Sequence, residues 1–426
     1  MRAPRWLPLA ALLAATAAGA DPTWQPLPAA PVAQRLDDLH FLDADHGWVC
    51  TGDGGIYRTT DGGANWQLMH SDAARYFRCI RFADAQRGFA GTLTSGAVLL
   101  RTTDGGVTWS TVTNLPDPRP NALCGLSVAS SQVIYGVGSY AGPARLIKSV
   151  DGGATWTSRD LAPLASTLVD VQFRSETEGF AVGSVGAFPS SNRAVVLHTT
   201  DGGVNWQQRF VGTRLGEWCW KISFPTAQVG YVSLERFAGP MFLLKTEDGG
   251  MTWSELPFPD HNEQGVGFVT PDRGWVGGAD NPTFGTTDGG ATWTETPWGE
   301  YLNRFQFLSP TLGYGTGITV YRYAETPLAV GGGRPGPRPA LVAPNPFGPG
   351  TTIRFSLERP ERVQLLIADP AGRIVRTLGD GVRGAGAHVV EWDGRTDRGA
   401  RAPAGIYLYV LHAGERHEMG KLVRVQ

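Results

Sequence analysis

Apolar and polar residues alternate with a period of two along much of the chain, which predicts short half-buried strands rather than helices. One fragment of that alternation, apolar-x-aromatic, recurs at Leu39-His40-Phe41, Ile80-Arg81-Phe82, Leu126-Ser127-Val128, Val171-Gln172-Phe173, Ile222-Ser223-Phe224, Val266-Gly267-Phe268 and Phe305-Gln306-Phe307. A few polar residues later comes a Gly-aromatic step: Gly47-Trp48, Gly88-Phe89, Gly179-Phe180, Gly230-Tyr231, Gly274-Trp275 and Gly313-Tyr314, with Ile134-Tyr135 in the third repeat. A third apolar strand, such as Val98-Leu99-Leu100 or Phe242-Leu243-Leu244, and a fourth beyond a turn complete a four-strand unit.

The turn before the fourth strand is written six times, first as TTDGGANW at 59–66. Its aspartates Asp61, Asp104, Asp151, Asp201, Asp248 and Asp288 are 43, 47, 50, 47 and 40 residues apart, a period that signals stacked supersecondary units. The carboxylate can accept from backbone N–H groups just downstream, and the paired glycines take positive φ without steric cost. The closing Trp is expected to cover the turn and wedge against the next repeat.

This octet resembles the Asp box of sialidases, sortilin-like receptors, xyloglucanases and the photosystem II stability and assembly factor family. The resemblance implies a structural role at the outer edge of propeller blades. One active site has no use for six equivalent aspartates, and a single carboxylate per turn falls short of the six to eight oxygens calcium prefers. No metal and no cofactor is expected.

Counting first strands gives seven units and six boxes. The seventh lacks a fourth strand, and Thr23-Trp24-Gln25-Pro26-Leu27 copies the sequence that leaves a box. The reading is an all-β chain in which residues 21–325 form a seven-bladed propeller closed by its N-terminal strand. The full repeat is most similar to the photosystem II assembly-factor propellers, which implies an assembly or binding role and links the chain to no photosystem.

Composition adds limits. The 57 Gly, 30 Pro and 18% charged residues suit strands and turns, and the net charge of −2 argues against a nucleic-acid partner. Residues 1–20 carry Arg2 and Arg5, an apolar run and Ala18-Gly19-Ala20, the pattern of a secretory signal peptide; no later stretch reaches membrane-spanning length. The expected location is secreted or on the outer cell surface, with the periplasm as the alternative. Cys50, Cys79, Cys124 and Cys219 sit in apolar strands without a CxxC pair and are expected to be buried thiols.

Residues 326–340 read as a Gly/Pro linker. Residues 341–426 alternate again and suit a small immunoglobulin-like β-sandwich. Pro344-Asn345-Pro346-Phe347, Glu391-Trp392-Asp393-Gly394 and Pro403-Ala404-Gly405-Ile406-Tyr407 resemble the immunoglobulin-like domain of flagellar hook-capping proteins and the related type IX secretion sorting domains. That resemblance implies secretion machinery as a partner and a role in secretion or surface attachment.

For function, the reading is a non-enzymatic binding or assembly scaffold with a protein or glycan partner. The loops leading into the innermost strands carry Arg75, Tyr76, Arg78, Glu217, Trp218, Lys221, His261, Tyr301 and Arg304, the aromatic and cationic mixture that carries binding energy at interfaces. Trp220 shares the alternation of Ile222 and is expected to be more buried than Trp218. The bland alternative is solvated arginines around a water-filled channel. The sharp alternative is a sialidase-like or other glycoside hydrolase; Asp37, Asp38 and Asp170 lie on or beside innermost strands, a place from which carboxylates could face the channel or else satisfy backbone groups, and the sialidases' Arg-Ile-Pro motif is missing.

Overall fold

A computed structural model describes residues 22–425 apart from 34, 188, 237–238, 260–262, 279–281, 325–340, 344–346, 358, 370–372 and 414–415. The expected signal peptide, the linker and His261 therefore lie outside the described residues. The chain divides into two compact units, Met1–Ala329 and Val330–Gln426.

The first unit is the expected propeller of seven four-stranded antiparallel sheets. The innermost strands are Leu36–Phe41, Phe77–Phe82, Gly125–Val128, Thr167–Phe173, Glu217–Ser223, Glu263–Phe268 and Arg304–Ser309, in blades 1 to 7. The register slips near the start of five of them, as between Leu36 and Asp38 and between Cys219 and Ile222. A bulge there interrupts strict alternation, so neighbouring residues can both face the channel.

Each box closes on itself as its chemistry predicts. In the first, Thr59 Oγ1 donates to Asp61 Oδ1 at 2.8 Å, Asn65 N donates to the same oxygen at 2.8 Å, and Gly63 N donates to Thr59 Oγ1 at 2.9 Å. Hydrogen bonds from the Thr108 hydroxyl and N–H hold the carboxyl of Asp104 down at about 2. The second glycine also abuts the preceding blade: Gly250 has φ 89°, and a Cβ there would sit 2.4 Å from the Phe180 ring.

The box tryptophans turn onto their own blade rather than the next repeat. Trp66 meets Phe41 edge-on at 6.1 Å and Trp109 meets Phe82 at 6.0 Å; Trp156, whose blade has Val128 in place of the aromatic, meets Phe89 of blade 2. The aromatic of the Gly-aromatic step crosses between blades instead. Trp48 stacks on Phe82 at 3.6 Å, Tyr135 on Phe173 at 3.4 Å, Tyr231 on Phe268 at 3.5 Å and Tyr314 on Phe41 at 3.5 Å. Where they carry polar tips, these reach the next box: Trp48 Nε1 donates to Gly105 O at 3.0 Å, and the Tyr231 hydroxyl to Gly289 O at 3.2 Å.

The seam is where the sequence puts it. Thr23–Pro26 pairs with Val320–Ala324, completing blade 7 in the order outermost N-terminal strand, Val320–Ala324, Leu312–Thr316, Arg304–Ser309. Trp24 stacks on Trp298 at 4.8 Å and meets Trp275, Phe305 and Tyr323 within 5.5 Å, filling the place of the missing box tryptophan. The second unit is a sandwich of a three-stranded and a four-stranded sheet around Trp392, Phe347, Ile353 and Leu365.

Trp24→Ala should destabilise the protein by about 3–5 kcal/mol, a large-to-small loss at a packed aromatic cluster. Urea unfolding followed by tryptophan fluorescence measures it, and a change under about 1 kcal/mol would show that the seam does not depend on this ring.

Candidate binding site in the propeller channel

Aligning the innermost strands on their apolar-x-aromatic fragment puts side chains around the channel in layers. One residue before the fragment stand Asp38, Asp170, Lys221 and Arg304; two before it stand Asp37, Arg78, Trp220, Gln264 and Asn303; the x position holds His40, Arg81, Ser127, Gln172, Ser223 and Gln306.

The first two layers close the channel. Arg304 of blade 7 donates through Nε to Asp38 Oδ1 of blade 1 at 2.8 Å and through Nη1 and Nη2 to both oxygens of Asp170 in blade 4, at 3.0 and 2.8 Å. A side chain on blade 7 that pairs with one on blade 4 spans the ring. Arg81 Nη1 donates to Asp38 Oδ2 at 2.7 Å, and Ile80 N donates to the same oxygen at 3.1 Å. Asp37 is held by Arg78 and by Arg35 at 2.8 Å. The Arg78 guanidinium lies 4.7 Å from the Trp220 ring, and Trp220 Nε1 donates to Asn303 Oδ1 at 2.8 Å. Blades 2, 5 and 7 are thereby joined across the axis.

Burial and charge oppose each other at these groups. Burial by itself raises the carboxyl of Asp170, but Arg304 and Lys221 overcome it and bring it to about 2. Asp38 is likewise held below the usual carboxylate range by Arg304, Arg81 and Lys221 against its burial. Lys221, 1% exposed with no hydrogen-bond partner for Nζ among the described residues, is pulled down to about 7 by burial and then by the charge of Arg304, with Asp170 opposing.

Beyond the plug, on the side where the boxes lie, the channel opens into a cavity of about 500 Å³. The box side is identified by the Gly62 N–H, which donates to Asp45 O in the turn after the innermost strand. The x-position residues form its wall, Arg304 is on its inner side, and Val128, Phe224, Val269, Phe307 and Pro310 lie later in their strands or in the following turns, toward the opening. Four wall residues use their acceptors to stitch blades together. His40 Nδ1 accepts from Phe82 N at 3.1 Å, Ser127 Oγ from Phe173 N at 2.9 Å, Ser223 Oγ from Phe268 N at 3.3 Å and Gln306 Oε1 from Phe41 N at 2.8 Å.

The residues singled out from sequence are brought only partly together. Arg78, Glu217, Trp218, Lys221 and Arg304 are all buried, so neither a cationic docking rim nor solvated arginines occurs at these positions. Opposite charges lie within reach across the ring, and pairing offsets the cost of desolvation. Glu217 is tied at 2.8 Å to Arg214, which also pairs with Glu255. Trp218 is 3% exposed and Trp220 7%, against the expected difference, because the slipped register after Cys219 turns both inward onto Val169. Arg75, Tyr76 and Tyr301 are half-buried at the opposite end of the channel; Arg75 pairs with Asp72 at 2.7 Å, and Tyr301 has φ 57°. The wall residues His40, Ser127, Gln172, Ser223 and Gln306 were passed over as site residues. Their signal was present: each is the polar member of an alternation whose apolar members face the blade core. Among the described residues no group of His, Cys, Asp and Glu suits a metal ion, and all four cysteines are buried thiols.

Comparison with known proteins places this geometry. The family model for the photosynthesis system II assembly factor YCF48 matches residues 17–139 and 156–262, and that for the FlgD Ig-like domain matches 346–416. The basal-body rod modification protein FlgD of Salmonella typhimurium is 35% identical over 113 residues, 26% of this chain and 44% of the relative, so the chain spans less than half the length of that curated protein. A structure of YCF48 from Cyanidioschyzon merolae aligns with a TM-score of 0.54 at 18% identity, over 71% of this chain and 98% of its own. A structure of YCF48 bound to D1 peptide has a TM-score of 0.54 at 19% identity, over 71% and 96%. The GH74 enzyme of Niastella koreensis has a TM-score of 0.51 at 16% identity, over 92% and 66%. At these identities the likeness is one of fold.

Titration separates the two kinds of buried charge. Asp170 titrates at about 2 folded and near 3.9 unfolded, so its pairing contributes fully above about pH 4 and is lost as pH falls through about 2. Lys221 acts in the opposite window: with a folded value of about 7 and an unfolded one near 10.4, the unfolded chain binds more protons in between, and stability rises with pH there. Lys221→Met should therefore gain stability over the wild type at pH 7 relative to pH 10, by about 1 kcal/mol or more. Urea midpoints at the two pH values test this; a constant difference would contradict a buried, depressed lysine.

Proposed function

Because the chain belongs to the photosynthesis system II assembly factor YCF48 family, we propose that it is a non-enzymatic binding or assembly scaffold that holds a segment of a partner protein in the box-side bowl of its propeller. The observation that carries this reading is the cavity of about 500 Å³, backed by a plug of paired charges. Its volume lies in the range of ordinary ligand sites. A member of the family has been seen bound to D1 peptide, which supports a peptide as the kind of occupant and leaves the identity of this chain's partner open to experiment.

The charge pattern favours binding over hydrolysis, although GH74 enzymes share the fold. Glycoside hydrolysis needs two carboxyl groups facing each other across the substrate, one of them protonated. Asp37, Asp38 and Asp170 are each bound to arginine. Asp170, at about 2, has no proton to give near neutral pH. Export to the outer surface or secretion, with the periplasm as the alternative, belongs to this proposal: residues 1–20 act as the signal peptide, and the immunoglobulin-like unit engages the secretion machinery or attaches the chain.

Gln172 suits a test because it lines the bowl and carries no blade-to-blade hydrogen bond among the described residues. Gln172→Trp should fill the bowl and abolish co-purification of the partner from the native host with the melting temperature within a few degrees of wild type. The paired change Arg75→Ala with Tyr76→Ala, at the other end of the channel, should leave capture intact. The reverse pattern would move the site to that end.

A further inference from the structure

The polar wall of the bowl is not neutral in its hydrogen-bonding sense. The stitches between blades consume acceptors at four wall residues and leave donors at three of them, while Gln172 Oε1 keeps no partner among the described residues. Ser127 and Ser223 accept backbone N–H groups through Oγ, and neither hydroxyl proton has an acceptor among the described residues. His40 takes the Phe82 N–H on Nδ1; burial, then the charge of Arg81, lowers the ring to about 3, so the imidazole is neutral and its single proton sits on Nε2. Arg81 spends Nη1 on Asp38 Oδ2, Leu39 O and Ile80 O, while its Nε and Nη2 bond no acceptor among the described residues. Gln306 is satisfied at both ends by Phe41.

Charge points the same way. Among the described residues that line the bowl, Arg81 and Arg304 carry charge and no carboxylate is present. Further along, Val128, Phe224, Val269 and Phe307 make the opening of the bowl apolar.

From this arrangement we infer that the bowl takes a carboxylate next to an apolar side chain, the carboxylate meeting Arg81, Ser127, Ser223 and His40 Nε2–H, the apolar group resting against the opening. The inference rests on the binding reading above and names the chemistry of its occupant. An unblocked chain end and an acidic side chain both present this group. Donor-rich walls favour it because a charge-assisted hydrogen bond is about twice as strong as a neutral one.

The test is calorimetric titration of the full chain with three tripeptide probes: acetyl-Ala-Leu-Leu as the free acid, the same peptide as its amide, and acetyl-Glu-Leu-Leu amide. At least one of the two acids should bind about tenfold or more tighter than the neutral amide, and which one does so identifies the source of the carboxylate. Gln172→Glu should weaken the acid by about tenfold or more relative to Gln172→Leu, which alters the wall without adding charge. Equal affinity for acid and amide, equal effects of the two variants, or no binding of any probe overturns the inference. Loss of partner capture in Gln172→Trp alongside acid-indifferent probes would leave the scaffold reading standing and remove only the carboxylate. Undiminished capture in that variant removes the scaffold reading itself.

Discussion

The Arg304 guanidinium is the tie on which the channel depends. It fixes Asp38 with one edge and both oxygens of Asp170 with the other, joining blade 7 to its neighbour blade 1 and to blade 4 across the axis. Taking such groups out of water costs several kcal/mol per ion, and the cost is offset only when geometry is good and remaining lone pairs are met. Here the bidentate contact, the Arg81 contact and the Ile80 N–H meet that demand. The plug closes one end of the axis and thereby makes the other end a bowl.

Around this axis the blades are fastened by two repeated devices. Toward the outside, an aromatic from each second strand crosses to the following blade, and the polar tips of Trp48, Tyr135, Tyr231 and Tyr314 are satisfied at the next box. Toward the channel, a polar residue on one innermost strand accepts the N–H of the aromatic on the next, as with Ser127 and Phe173. The second device turns a structural need into a chemical bias. At His40, Ser127 and Ser223 the acceptor spent between blades leaves a donor facing the bowl.

The fold was legible because its determinants are local. A box is a set of hydrogen bonds closed within eight residues, so a reader of the sequence sees the same closed turn six times and can count units from it. The seam was legible for the same reason, since Trp24 repeats the residue that leaves each box. The site was legible only in part. Pairing of Arg304 with Asp170 joins positions 134 residues apart, and nothing in the spacing of the two says that they meet. The bulge after Cys219 likewise takes Trp220 off the face of Ile222 and leaves it with Trp218 against Val169. Arginines read as belonging to an exposed mouth turned inward because carboxylates waited across the ring.

A double-mutant cycle on Arg304→Met and Asp170→Leu tests most directly whether the channel is closed by a charge pair spanning the ring. Urea unfolding of the wild type, both single variants and the double variant gives the coupling free energy. The cross-ring pair predicts a coupling of about 2–5 kcal/mol, the double variant being far less destabilised than the sum of the singles. Additive effects, within about 0.5 kcal/mol, would contradict a plug at this position.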